Sequence, residues 1–284
     1  MSPLLGKNYK NVIGNSDIMF YGVDDDIRGF QSLELVRKWY QTTLSVAGNE
    51  NPLMGDDLTG EKNKRFLVPL SEPYRLLVCG GSWEKPALQI GNENRVFIRT
   101  AVLDTKTVVL VSIINVILLP GGHMARTYDD TEDRRQIAVK EMAEAMDIEK
   151  VFARFKISGP HPTGDSTTGF FIDKYDLLKI STPANEPFKD INTNPDLETD
   201  PPEWKTLPMK LGFPAYTSGY YTCFELRTPG TYFIDIDGSA PLAGHQGPHQ
   251  EEPQNQKETE TSQFHLGETI FHNSAKYELE VKEV

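Results

Sequence analysis

Apolar positions fall along this chain in two textures. Over residues 24–48 they recur at near-helical spacing, through Ile27, Phe30, Leu33, Val36 and Tyr40. Asp24-Asp25-Asp26 stands at the start, where acids complement the positive end of a helix dipole, and Gly48 follows as a stop. The spacing predicts a helix over 26–47, with Gly29 as its weak point. A second helix is expected over 131–155. Thr131 is its N-cap, Glu132 and Asp133 its first turn, and Met142, Met146, Val151, Phe152 and Phe155 continue its apolar side.

From Arg65 onward the texture changes to short β-branched runs. Examples are Phe66-Leu67-Val68, Tyr74 to Cys79, Ala87 to Ile90 and Val96 to Leu103, separated by glycine and polar turns. Strands so closely spaced, without helices between them, argue for antiparallel pairing. Asp104-Thr105-Lys106 reads as a hairpin turn, and Arg227-Thr228-Pro229-Gly230 as a second one between 220–226 and 231–236. Val108 to Leu119 hardly alternates, so it is expected to be a central strand buried on both faces. Tyr277-Glu278-Leu279-Glu280-Val281 alternates cleanly and is expected to be a half-exposed edge strand. Together these features predict an α+β fold: a largely antiparallel sheet, curled or doubled, with two packed helices and long polar loops. Residues 1–284 are read as one domain. The alternative is a helix–sheet lobe over 1–157 and a β-rich lobe over 158–284.

Composition narrows the class. The chain has 284 residues, 38% of them hydrophobic, with 22 glycines and 19 prolines, which suits a globular core and excludes collagen or wholesale disorder. Asp plus Glu number 41 against 29 Lys plus Arg, a net charge of −12. Such a balance repels phosphate backbones and anionic lipid surfaces, so neither nucleic acid nor a membrane is an expected partner. Two long polar connections stand out. Residues 182–214 are rich in proline and acids, and 244–263 hold no aliphatic or aromatic side chain. The N-terminal residues lack the apolar stretch of a signal peptide, and the run from Val108 is too short for a transmembrane helix. A cytoplasmic or otherwise intracellular protein is expected. Cys79 and Cys223 lie in apolar or aromatic surroundings and read as buried strand residues.

Several short motifs invite chemical readings and fail on physical grounds. Gly159 to Ser166 has the glycine spacing of a phosphate loop. Asp165 stands where that loop needs a lysine, and Pro160 and Pro162 remove backbone donors. Asp235-Ile236-Asp237-Gly238 resembles the opening of haloacid-dehalogenase phosphatases, but too little chain follows to supply the rest of that family's site. As a calcium loop the same stretch would need an acid at its twelfth position, where Gln246 stands. Asp129-Asp130-Thr131-Glu132-Asp133 resembles the magnesium motif of class I terpene synthases, an all-helical family, and is explained as well by a helix start.

Three functional readings remain. The first is a non-catalytic subunit acting through protein contacts, with itself or another protein, in a larger assembly. The second is a small-molecule-binding protein or enzyme with an aromatic-walled pocket. Tyr216, Tyr220, Tyr221 and Tyr232 would form its wall, or equally a partner surface, and His161 or Asp165 would supply acid–base chemistry. The third is a metal-dependent enzyme using His245, His249 and His265, residue types suited to a metal. Apart from that metal, no cofactor is expected.

Overall fold

The computed structural model describes residues 17–46, 50–53, 55–81, 96–118, 146–147, 149–161, 170–183, 185–191, 215–241 and 270–283. Among them lie eleven strands and one α-helix. In chain order they are β1 (Ile18–Phe20), α1 (Ser32–Ser45), β2 (Leu67–Pro69), β3 (Arg75–Cys79), β4 (Phe97–Asp104), β5 (Thr107–Leu118), β6 (Phe152–His161), β7 (Phe170–Asp173), β8 (Leu178–Ser181), β9 (Tyr216–Leu226), β10 (Gly230–Pro241) and β11 (Ile270–Lys282).

The strands form two sheets. The first runs β1-β9-β5-β3-β2, with β8 also paired to β9; the second runs β4-β11-β10-β6-β7. The sheets pack face to face. The ring of Phe155 on β6 lies 5.6 Å from that of Phe224 on β9. Gly238 on β10 comes so close to β5 that an added Cβ would stand 2.7 Å from the Ile113 carbonyl oxygen. The opposite face of the first sheet is covered by α1. Trp39 Nε1 donates to the Cys79 carbonyl oxygen at 2.8 Å, and the Tyr40 and Thr217 hydroxyls meet at 2.7 Å. The order is therefore helix, sheet, sheet. β5 is central and buried, as its unbroken apolar run requires.

Several expectations need correction. The fold is mostly β with one described helix, not α+β with two packed helices. The first predicted helix survives as α1, shortened at its start. Arg28 and Gly29 take positive φ angles of 56° and 89°, and helix proper begins only after Gln31, whose backbone N–H is held by Glu34 Oε2 at 2.9 Å. The second predicted helix fails where it can be seen. Residues 131–145 lie outside the described residues, but Phe152 to His161 is strand β6. Phe152 and Phe155 mimic helical spacing; the true period is two, with Ala153, Phe155 and Ile157 buried and Phe152 and Arg154 exposed.

Most pairings are antiparallel, but both sheets are mixed, since β3 pairs with β5 and β4 with β11 in parallel. Neither expected hairpin forms. The Asp104–Lys106 turn joins β4 of the second sheet to β5 of the first, and the 227–230 turn joins β9 to β10 across the same divide. A tight turn reverses the chain but does not select its partner. β5 is apolar on both faces and belongs where both are covered, whereas β4 alternates and belongs in the sheet with one face open. Finally, β11 is half exposed as expected but internal, between β10 and β4.

Candidate functional site

The strand pattern of β4 holds the first anomaly. Its inward phase reads Phe97, Arg99, Ala101, Leu103, placing an arginine among core residues. Arg99 is fully buried, at 0% exposure. It sits directly across from Tyr277 in the β4–β11 register, where the chain leaves β3 through Gly80 and Gly81.

The guanidinium works there as a clamp on backbone carbonyls. Arg99 Nη1 reaches the Gly80 oxygen at 2.7 Å, the Gly81 oxygen at 3.0 Å and the Tyr277 hydroxyl at 2.9 Å. Arg99 Nε donates to the Gly55 oxygen at 3.2 Å. The Tyr277 hydroxyl accepts from the Gly80 N–H at 3.0 Å and donates to the Gly80 oxygen at 2.7 Å. Burial pushes the Tyr277 phenol up to about 12, against the opposing pull of Arg99. Burial likewise pushes the nearby Cys79 thiol well up, against the opposing pull of Arg99.

Two buried polar atoms at this point have no hydrogen-bond partner among the described residues: Arg99 Nη2 and Asn273 Oδ1. Asn273 uses its other terminus, donating from Nδ2 to the Ile113 oxygen at 2.7 Å. Its Oδ1 is packed against Gly81, where a Cβ would stand 1.2 Å from it, so a side chain at 81 would have to displace the Asn273 amide. No described carboxylate forms an ion pair with Arg99, and its remaining polar contacts are all with neutral groups.

A second buried cluster is fully satisfied. Glu225 on β9 accepts from Arg28 Nε and Nη2, both at 2.7 Å, and from the Tyr21 hydroxyl at 2.5 Å. Arg28 in turn lies over the Tyr74 ring at 3.8 Å. The hydrogen bond to Glu225 raises Arg28 further above its usual range, while burial and then Glu225 raise the Tyr21 phenol.

The outward face of the second sheet is the third feature. One register row reads Ile98, Lys276, Asp235, Lys156, Phe171 across β4, β11, β10, β6 and β7. Ion pairs Arg154–Asp237 at 3.3 Å and Lys276–Asp235 at 3.9 Å cross this face. Ile98, Val102, Phe152 and Phe171 are exposed at 48%, 51%, 46% and 59%. Among the described residues no helix or strand covers this face.

The residues singled out from sequence lie elsewhere. Tyr216, Tyr220 and Tyr221 on β9 and Tyr232 on β10 are all buried in the core, not set around an open pocket. The Tyr221 hydroxyl is 3.4 Å from that of Tyr40, under α1, and Tyr232 donates to the Thr228 oxygen at 2.8 Å. Burial raises all four of the phenols Tyr40, Tyr220, Tyr221 and Tyr232. His161 ends β6, where only its backbone is described. Asp165, His245, His249 and His265 lie outside the described residues. Among the described residues no group of His, Cys, Asp or Glu is arranged to hold a metal ion, and no helix is long and apolar enough to cross a membrane. Sequence reasoning missed Arg99, although an arginine in the apolar phase of an alternating strand is a signal that could have found it.

No family model, curated protein or solved structure matches this chain.

Proposed function

We propose that this protein is a non-catalytic component that works through protein–protein contact, with the outward face of the second sheet as its contact surface. One observation carries the reading. That face is a regular strand surface bearing exposed Phe152 and Phe171 at one side and Ile98 and Val102 at the other, with alternating charges between them. Large exposed apolar side chains favour association, and the charge rows between them would fix register and partner choice. The aromatic residues that suggested a pocket are spent on the core. Both cysteines are free and buried, which suits action in a reducing compartment such as the cytoplasm.

The first partner to test is a second copy. Light scattering across a range of concentrations should give a mass above the 32.0 kDa of one chain. The paired substitution Phe152→Ser and Phe171→Ser, on exposed positions, should return it to one chain with the melting temperature unchanged. A strict monomer that also captures no partner through this face, with wild type and variant behaving alike, overturns the reading.

A further inference from the structure

We propose that the outward face of the second sheet pairs with the same face of a second copy about a two-fold axis, setting Lys156 of each copy over Glu278 of the other. This pairing rests on the contact surface proposed above and names its partner and its alignment.

Most charges on this face are paired within the chain. Arg154 meets Asp237, Lys276 meets Asp235 and Lys282 meets Glu280, at 3.3, 3.9 and 3.5 Å. Two opposite charges are left over. Among the described residues neither Lys156 nor Glu278 forms an ion pair. The Lys156 ammonium lies instead over the exposed Phe171 ring, 5.3 Å from its centre.

Their placement is symmetric. Lys156 on β6 stands beside Asp235 of β10, and Glu278 on β11 stands beside Phe233 on the other side of the same strand. All four fall in the exposed or half-exposed phase of their strands. Consider an axis in the plane of the face, crossing β10 between Phe233 and Asp235, at right angles to the line from Lys156 to Glu278. Such an axis exchanges the two sites, as an isologous interface requires. It also carries Phe171, next to Lys156 in the register, towards Val102, next to Glu280. These two apolar side chains are exposed at 59% and 51%.

Charge complementarity favours a copy as the occupant. The chain carries −12, so two copies repel each other in general. The exchanged pair supplies opposite charges at two places in one interface, which offsets that repulsion locally and fixes the alignment. A partner of uniformly acidic or basic surface would leave one of the two residues facing a like charge.

The test is the dissociation constant of the full chain by sedimentation equilibrium. Wild type, Lys156→Glu, Glu278→Lys and an equimolar mixture of the two variants are compared. Each variant alone should associate about tenfold more weakly or worse, since it places like charges together twice. The mixture should form mixed dimers with near wild-type affinity, because both contacts are again opposite in charge. The double exchange within one chain should restore association in the same way, at unchanged net charge. Net charge alone predicts otherwise: Glu278→Lys makes the chain less acidic and should then associate more tightly than wild type. That result overturns the proposal, as does a mixture no stronger than its separate components. Dimers that ignore both charges but come apart with Phe152→Ser and Phe171→Ser overturn this alignment and leave the contact surface standing. A wild-type chain that stays monomeric also overturns the alignment, and the contact surface then depends on capture of a different protein.

Discussion

Arg28 and Glu225, 197 residues apart in sequence, form a two-point ion pair that fastens the segment before α1 to strand β9. The carboxylate is almost completely buried and the guanidinium one-third exposed, at 2% and 31%. Removing the partner of a buried charge is more damaging than the pair is stabilising, because the remaining charge stays desolvated. Arg28→Ala should therefore cost about 2–4 kcal/mol, somewhat below the roughly 3–5 kcal/mol seen for fully buried pairs. The shift of the urea midpoint measures it. Arg28→Lys should recover only part of the loss, since an ammonium cannot make the two-point contact.

Gly238 lets the two sheets approach closely. A Cβ there would meet the Ile113 oxygen at 2.7 Å and Ile114 Cβ at 3.1 Å. Gly238→Ala must push the sheets apart or twist β10, and overpacking of this kind costs about 1–3 kcal/mol. Ser239→Ala, one residue along on the outward phase, serves as the neutral control. Equal thermal stability of the two variants would rule out the tight packing described.

The helix is joined to the first sheet by polar as well as apolar contact. The Tyr40 and Thr217 hydroxyls meet at 2.7 Å in a buried site. Tyr40→Phe should lower stability by about 1 kcal/mol, the net worth of a typical buried hydrogen bond. Thr217→Val should cost a similar amount, and the double variant should lose less than the sum. A double-mutant cycle reads the coupling directly. Strict additivity would mean that the two hydroxyls do not interact.

Alkaline pH should unfold the protein cooperatively. Burial raises the Cys79 and Cys223 thiols and the Tyr277 phenol above their ordinary values of 9.0, 9.0 and 10.0. A group whose folded pKa is raised holds its proton more tightly when folded. Its contribution is complete below the unfolded pKa and is lost as pH rises towards the folded one. The urea midpoint should accordingly fall as pH passes 9.0 and then 10.0, most steeply on the approach to about 12, where folded Tyr277 titrates. Cys223→Ala should flatten the first part of that decline. A midpoint independent of pH through this range would contradict the burial of these groups.

Much of the secondary structure was legible. The apolar run from Val108 marked the central strand, the alternation at Tyr277 to Val281 marked a strand with one open face, and the near-helical spacing around Val36 marked α1. Each signal is local, because it depends on which face of one element meets water. The misread stretch at 152–155 shows the limit of such signals. Two phenylalanines three residues apart suit a helix, and only the pairing of β6 with β10 and β7 established a period of two.

What the sequence by itself determined is much of this inventory of strands, the two buried cysteines and the net acidic charge. What only the tertiary structure decided is which strands share a sheet and what the buried polar groups meet there. The turns at 104–106 and 227–230 look like hairpins but carry the chain between sheets, because the partner of a strand is chosen by the faces it must cover. Arg99 stands in the apolar phase of its strand, but what it meets there is set by Tyr277 and Gly80, 178 and 19 residues away. Enclosure is a property of distant segments brought together, and here it turns a strand cation into a clamp on the backbone carbonyls of Gly55, Gly80 and Gly81.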